Sequence, residues 1–137
     1  MDAVTVRATH RGRVEWIDTD SAGIHHNTAI ARYVESAEAA LMRGLGLDAY
    51  FASAPRVRYE VDFEAPLRFG DEVTATVQVE RVGTSALSFT FEVHGGPEGT
   101  TPVRAARGRY VTVHIDRATG TSSPWPDDWR AALGATD

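Results

Sequence analysis

The chain has 137 residues, a formal charge of −5, 42% hydrophobic and 24% charged residues, and no cysteine. That length suits one domain spanning 1–137 with a buried core, and the missing cysteine excludes disulfides, thiol nucleophiles and cysteine zinc sites. All 14 basic residues are arginine, which excludes a Schiff-base or general-base lysine. The arginines are scattered, so the basic footprint of a nucleic-acid binder is absent, although guanidinium suits the phosphates of a small ligand.

No stretch approaches the ~18 apolar residues of a membrane span. Met1-Asp2-Ala3-Val4-Thr5 has neither a basic start nor an apolar run, so no secretory leader is expected. A cytoplasmic protein without a membrane partner follows as the expectation.

From Val4 to Trp16 the even positions read Val4, Val6, Ala8, His10, Gly12, Val14 and Trp16, and the odd ones Thr5, Arg7, Thr9, Arg11, Arg13 and Glu15. Such alternation predicts a half-buried strand, with Gly12 as a bulge or bend. Residues 17–26 have neither period and contain D-T-D-S-A-G, a loop signature. A helix is predicted to start at Asn27 or Thr28, both good N-cap types. Its stripe is Ile30, Val34, Ala37, Leu41 and Leu45, with further alanines widening the buried face. Gly44 and Gly46 supply the stop.

Strands follow: Val57, Tyr59, Val61 and Phe63 alternate with Arg56, Arg58, Glu60 and Asp62; Val73 to Val79 repeats the pattern; Leu87 to Val93 continues it past a Gly83-Thr84-Ser85 turn. The last strand, Val103 to Ile115, carries Arg107 and Arg109 in register with Val103, Ala105, Val111, Val113 and Ile115, which calls for solvent or a partner there. A tail over 116–137 contains Pro124-Trp125-Pro126 and a helical segment from Asp127 to Leu133, its tryptophans expected on the body. Together these elements predict an α+β fold of five or six antiparallel strands wrapped around one long helix. Its second face and edges are expected to need cover, which favours an oligomer.

The strand feeding D-T-D-x-x-G-I, the immediate helix with Glu35, and the later P-L-R-F-G-D-E-V resemble the hotdog-fold acyl-CoA thioesterases, in particular the 4-hydroxybenzoyl-CoA thioesterase-like group. The resemblance covers Arg11 to Ile115 by element order and Trp16 to Glu35 by motif. It implies that Asp20 is the catalytic carboxylate and that the backbone N–H of Asn27 meets the thioester carbonyl. Glu35 matches an acidic helix residue common in the family, and Arg81 to Ser85, with Thr84 between, falls where pantetheine or nucleotide phosphates are met. It also implies an acyl-CoA or acyl-carrier-protein substrate, no cofactor, and a homodimer or homotetramer with the site near the subunit interface. The chain departs from the family at His25, His26, Asn27 and Ile30, where relatives carry an aliphatic residue, an aromatic, His or Tyr, and an aromatic.

The residues alone point the same way. Thioester hydrolysis needs a carboxylate that attacks the carbonyl or activates water, and donors for the developing oxyanion. A carboxylate just ahead of a helix N-terminus supplies both. Asp18 is read as a loop-bonding residue. Adjacent His25 and His26 do not converge on one ion, so no metal is expected; both are read as shaping the pocket or touching substrate. Two other functions stay open at this point. One is a hotdog-fold enoyl-CoA hydratase or dehydratase using Asp20 and His25, five residues apart. The other is a non-catalytic acyl-thioester binding protein.

Overall fold

Alternation in five segments builds one sheet. In the computed structural model, which describes residues 6–135, the strands are β1 (Arg7–Arg13), β2 (Arg56–Phe63), β3 (Glu72–Val82), β4 (Ala86–Gly96) and β5 (Val103–Val113). They pair antiparallel throughout in the order β1-β3-β4-β5-β2. Val4 and Thr5 of the first predicted strand, and the last two tail residues, lie outside the described residues. Ladder pairing runs evenly through Gly12, opposite Val73, so the glycine forms no bulge.

The long helix α1 (Asn27–Gly44) lies across β1, β3 and β4. Its stripe is legible in the burial: Ile30, Val34 and Ala37 are fully buried, with Tyr33, Leu41 and Met42 beside them. The sheet answers with Val73, Ala75, Val77, Leu87, Phe89 and Val93. Gly46 ends the helix in the left-handed region at φ +74°, with the Leu47 N–H bonded back to the Met42 carbonyl at 2.9 Å. A 3₁₀ turn over Asp48–Ala52 then leads into β2.

Three register shifts curve the sheet around the helix: at Val57 in β2, Glu80 in β3 and Ala105 in β5. Each flips the inward set beyond it. In β5 the bulge buries Ala105 and then turns Ala106, Gly108, Tyr110 and Thr112 to the helix side, opposite Val93, Phe91, Phe89 and Leu87. Arg107 and Arg109 therefore stand on the outer face, in register with Val111 and Val113 but separated by the bulge from buried Ala105, and pair with Glu64 at 3.6 Å and Glu80 at 3.4 Å. Gly108 is required where it sits, because a Cβ would lie 2.0 Å from the Glu60 carbonyl oxygen and 2.7 Å from the Phe91 ring.

The outer face is polar rather than apolar. Besides those pairs, Arg104 binds Glu64 at 2.6 Å and Glu92 at 2.9 Å, and Thr9 meets Thr76 at 3.1 Å. Such a charge-paired face can stand in water without an apolar partner. The tail packs as foreseen. Trp125 is buried against Tyr50 and His114, Trp129 closes over His114, and α2 (Asp127–Ala132) follows.

Candidate active site

Between β1 and α1 the chain makes a short 3₁₀ turn, Trp16–Asp18, and a narrow loop. Asp18 anchors it. Its buried carboxylate accepts from the Glu15 N–H at 2.9 Å, the Tyr33 hydroxyl at 3.0 Å and the Arg32 Nε at 3.1 Å. Burial alone would raise its pKa, but these donors, Arg32 foremost, outweigh it and hold the group below its ordinary value. The Asp18 carbonyl also takes the His26 N–H at 2.7 Å, tying the loop to the helix start.

Asp20 lies at the tip of that loop. Its N–H donates to the Ile24 carbonyl at 2.9 Å, and its carbonyl takes the Gly23 N–H at 3.0 Å. Gly23 adopts φ +79°, a conformation that favours glycine. Oδ1 of Asp20 accepts the Ala22 N–H at 2.8 Å, whereas Oδ2 has no bond among the described residues. The exposed carboxylate thus keeps a fixed direction and one free oxygen.

His25 is held from both sides of its own residue. Its N–H donates to the Leu67 carbonyl at 2.8 Å, and its Nδ1 accepts the Leu67 N–H at 3.0 Å. With Nδ1 an acceptor, the proton sits on Nε2, an edge without a partner among the described residues. Burial pushes the imidazole pKa down, partly opposed by the Asp20 charge. The ring faces Phe63 of β2 at 6.2 Å.

His26, not Asn27 or Thr28, is the N-cap of α1, and its side chain makes no capping bond. Asn27 is the first helical residue, so its N–H and that of Thr28 keep the unpaired character of a helix start. Absence of a side-chain cap leaves these amides available as anion donors.

Glu35 lies two turns further along α1, about 12 Å at 1.5 Å per residue. Its carboxylate is paired with Arg56 Nη1 at 2.6 Å. Arg81, Thr84 and Ser85 are at the other end of the sheet. β3 starts beside the Asp20 loop, where Val14 and Asp71 are bonded at 2.8 Å, and the turn is roughly 30 Å away along that strand. Its backbone is already engaged: the Ser85 carbonyl takes the His114 N–H at 2.8 Å, the Thr84 carbonyl the Trp125 N–H at 2.9 Å, and the Gly83 carbonyl an Arg130 guanidinium N–H. One chain therefore carries Asp20, His25, His26 and Asn27 on one loop and the helix start that follows it, and leaves the turn outside.

Two aromatic residues were not foreseen as site residues. Trp16, 81% exposed, and Phe69, 64% exposed, flank Asp20 across a cavity of about 500 Å³ that also includes Thr19, Ser21 and Gly23. Trp16 adjoins the D-T-D motif in the chain, but Phe69 arrives only through the Ile24–Arg68 bridge. A larger hollow of about 920 Å³ lies on the outer sheet face among paired arginines and acids, away from Asp20. Among the described residues no three histidine or acidic side chains converge on a metal position, and no helix is long and apolar enough to cross a membrane.

Residues 14–133 match the family described as the thioesterase-like superfamily. The chain is 24% identical over 119 residues to a 1,4-dihydroxy-2-naphthoyl-CoA hydrolase of Thermosynechococcus vestitus, covering 82% of this chain and 80% of that protein. It is similar to a Thermus thermophilus thioesterase solved with coenzyme A and zinc, at 27% identity and a TM-score of 0.81 over 93% of this chain and 98% of that one. The 4-hydroxybenzoyl-CoA thioesterase of a Pseudomonas strain shares the fold at 18% identity and a TM-score of 0.83, over 92% of this chain and 98% of that one. The helix-wrapped antiparallel sheet is the hotdog fold.

Proposed function

The chain belongs to the thioesterase-like superfamily, and from that premise we propose that this acyl-CoA thioesterase works through Asp20 and the start of α1. One observation carries the reading: a carboxylate with a free oxygen stands on a rigid turn just ahead of a helix whose first amides no side chain caps. The thioester carbonyl oxygen accepts the Asn27 N–H, which stabilises the negative charge that develops as the carbonyl carbon becomes tetrahedral. Asp20 either attacks that carbon, forming a mixed anhydride that water then cleaves, or takes a proton from the attacking water. Both routes consume one water and give a carboxylic acid and a free thiol.

His25 and His26 border this position. With Nδ1 occupied by Leu67, His25 offers an Nε2–H donor to substrate rather than a basic nitrogen, which favours hydrolysis over hydration of an enoyl thioester. Trp16 and Phe69 supply an apolar lip. Glu35 lies further along the helix, on the path of the acyl group.

The thiol half is CoA or a carrier-protein pantetheine, and the remote Arg81–Ser85 turn contacts it only from a second copy of the chain. A homodimer or homotetramer with the site at its interface satisfies that requirement. The unpaired edge of β2, with Val57 60% and Phe63 44% exposed, offers a surface for such pairing.

Replacing Asp20 by Asn tests the assignment. Hydrolysis of acyl-CoA substrates should fall at least about a hundredfold with unchanged folding, and near-full activity would remove Asp20 from the mechanism. A single turnover in ¹⁸O-water that labels the Asp20 carboxyl establishes the anhydride route by water attack at the Asp20 carbonyl, since the general-base route leaves that carboxyl unlabelled.

A further inference from the structure

The extra residue at Val57 turns Arg56 from the solvent side of β2 to the helix side, opposite Thr112. There its guanidinium donates to Glu35 at 2.6 Å and to buried Glu38, and stacks 4.6 Å over the Tyr110 ring. Tyr50 donates to the other oxygen of Glu38. Charge thus ties α1 to β2 at the level of Glu35. At the far end of β2, Phe63 meets the His25 ring just before α1 begins.

Between these two crossings the helix leans away from the strand, because α1 packs on β1, β3 and β4. The inner face of β2 carries half-buried Tyr59 and Val61 there, opposite Tyr110 and Gly108 of β5. On α1 the row Asn27, Ala31, Glu35 has i, i+4 spacing, and Glu35 shows that this row faces β2. The strip between them is largely apolar, starts at the proposed oxyanion donor and ends at an ion pair. Past the pair lies a cavity of about 330 Å³ with Ala39 and Phe51 in its wall.

Stability does not account for the pair, since apolar residues of similar volume serve a buried site as well or better. We propose that Arg56, clamped by Glu35 and Glu38, is the end stop of the acyl path and sets the length of acyl chain the enzyme accepts. From Asn27 to Glu35 is about 12 Å, which an extended alkyl chain spans in roughly eight to ten carbons. A longer chain meets two unfavourable choices. Passing the stop parts Arg56 from Glu38, whose carboxylate pairs with no other cation among the described residues. Turning aside leaves the added methylenes in water. Extra length therefore adds no affinity. This inference rests on the thioester carbonyl sitting at Asn27.

The test uses non-hydrolysable alkyl-CoA thioethers of four to fourteen carbons, titrated into the native protein by calorimetry. Each buried methylene strengthens binding about fourfold at most, so affinity should rise at least about tenfold from the four-carbon to the eight-carbon compound. From ten to fourteen carbons it should gain less than about twofold. A smaller rise over the first range, or a larger one over the second, overturns the proposal.

Replacing Arg56 and Glu38 together by Leu removes the stop, opens the strip to the cavity past it and leaves Tyr50 its Thr112 partner at 3.1 Å. The folded variant should bind the fourteen-carbon thioether at least about tenfold more tightly than the ten-carbon one, and no gain overturns the proposal. If the variant does not fold, the native series decides. A stop in the binding series without hydrolysis of octanoyl-CoA overturns the catalytic reading alone, whereas hydrolysis without a stop overturns only this proposal.

Discussion

Leu67 grips His25 through both of its backbone polar groups: its carbonyl takes the His25 N–H at 2.8 Å and its N–H donates to His25 Nδ1 at 3.0 Å. The imidazole thereby becomes part of the fold and loses the freedom to choose its tautomer. The segment that carries P-L-R-F-G is coupled in the same way to the loop that carries Asp20.

The first prediction concerns the charge of His25. Its folded pKa lies below the ordinary value of 6.5, chiefly through burial. Neutral His25 thus contributes stability that is present above pH 6.5 and is lost as pH falls toward the lower folded pKa. Urea unfolding of the native protein should show stability declining through that window, and His25→Leu should flatten the decline. The same substitution leaves the Leu67 N–H without its acceptor, at a cost of about 1–3 kcal/mol at neutral pH. ¹⁵N chemical shifts should report a proton on Nε2; a proton on Nδ1 would contradict the grip.

Asp18 gives a prediction of the same sign. Arg32, the Glu15 N–H and Tyr33 outweigh burial and hold its pKa below the ordinary carboxylate value. Its contribution is present above about pH 4 and disappears as pH falls through the folded pKa. Asp18→Asn should lower stability by about 1–3 kcal/mol, a range that allows for the partial exposure of Arg32. Because Asp18 also orders the loop, kcat should fall in this variant although Asp18 touches no reacting atom. Thermal denaturation and steady-state kinetics together check this, and unchanged kcat would detach the anchor from the site.

Trp16 and Phe69 offer the contrasting case. Both are largely exposed, so Trp16→Ala and Phe69→Ala should change stability by no more than about 0.5 kcal/mol. Their loss from the lip beside Asp20 should raise KM several-fold with a smaller effect on kcat. Melting curves and acyl-CoA kinetics measure the two effects independently. A large drop in melting temperature with unchanged KM would make the pair structural.

Much of this was readable beforehand because it depends on local period and composition. The helix over Asn27–Gly44 appears in the spacing of Ile30, Val34, Ala37 and Leu41, and every strand in its alternation. The acid, glycine turn and helix start lie within a few residues of one another, so the central part of the candidate site was present in one short stretch. Register was not readable. A single extra residue at Val57 or Ala105 inverts which side chains face the helix, and nothing in the alternation reports it.

For that reason the sequence alone determined the fold class and the acid at the head of the helix. Tertiary structure decided that Arg56 turns inward and Arg107 and Arg109 outward. It decided that Leu67 holds His25, and that the Arg81–Ser85 turn stands far from Asp20. Local signals arise from neighbours in the chain, whereas bulges and cross-strand partners are chosen only when the whole sheet closes around its helix.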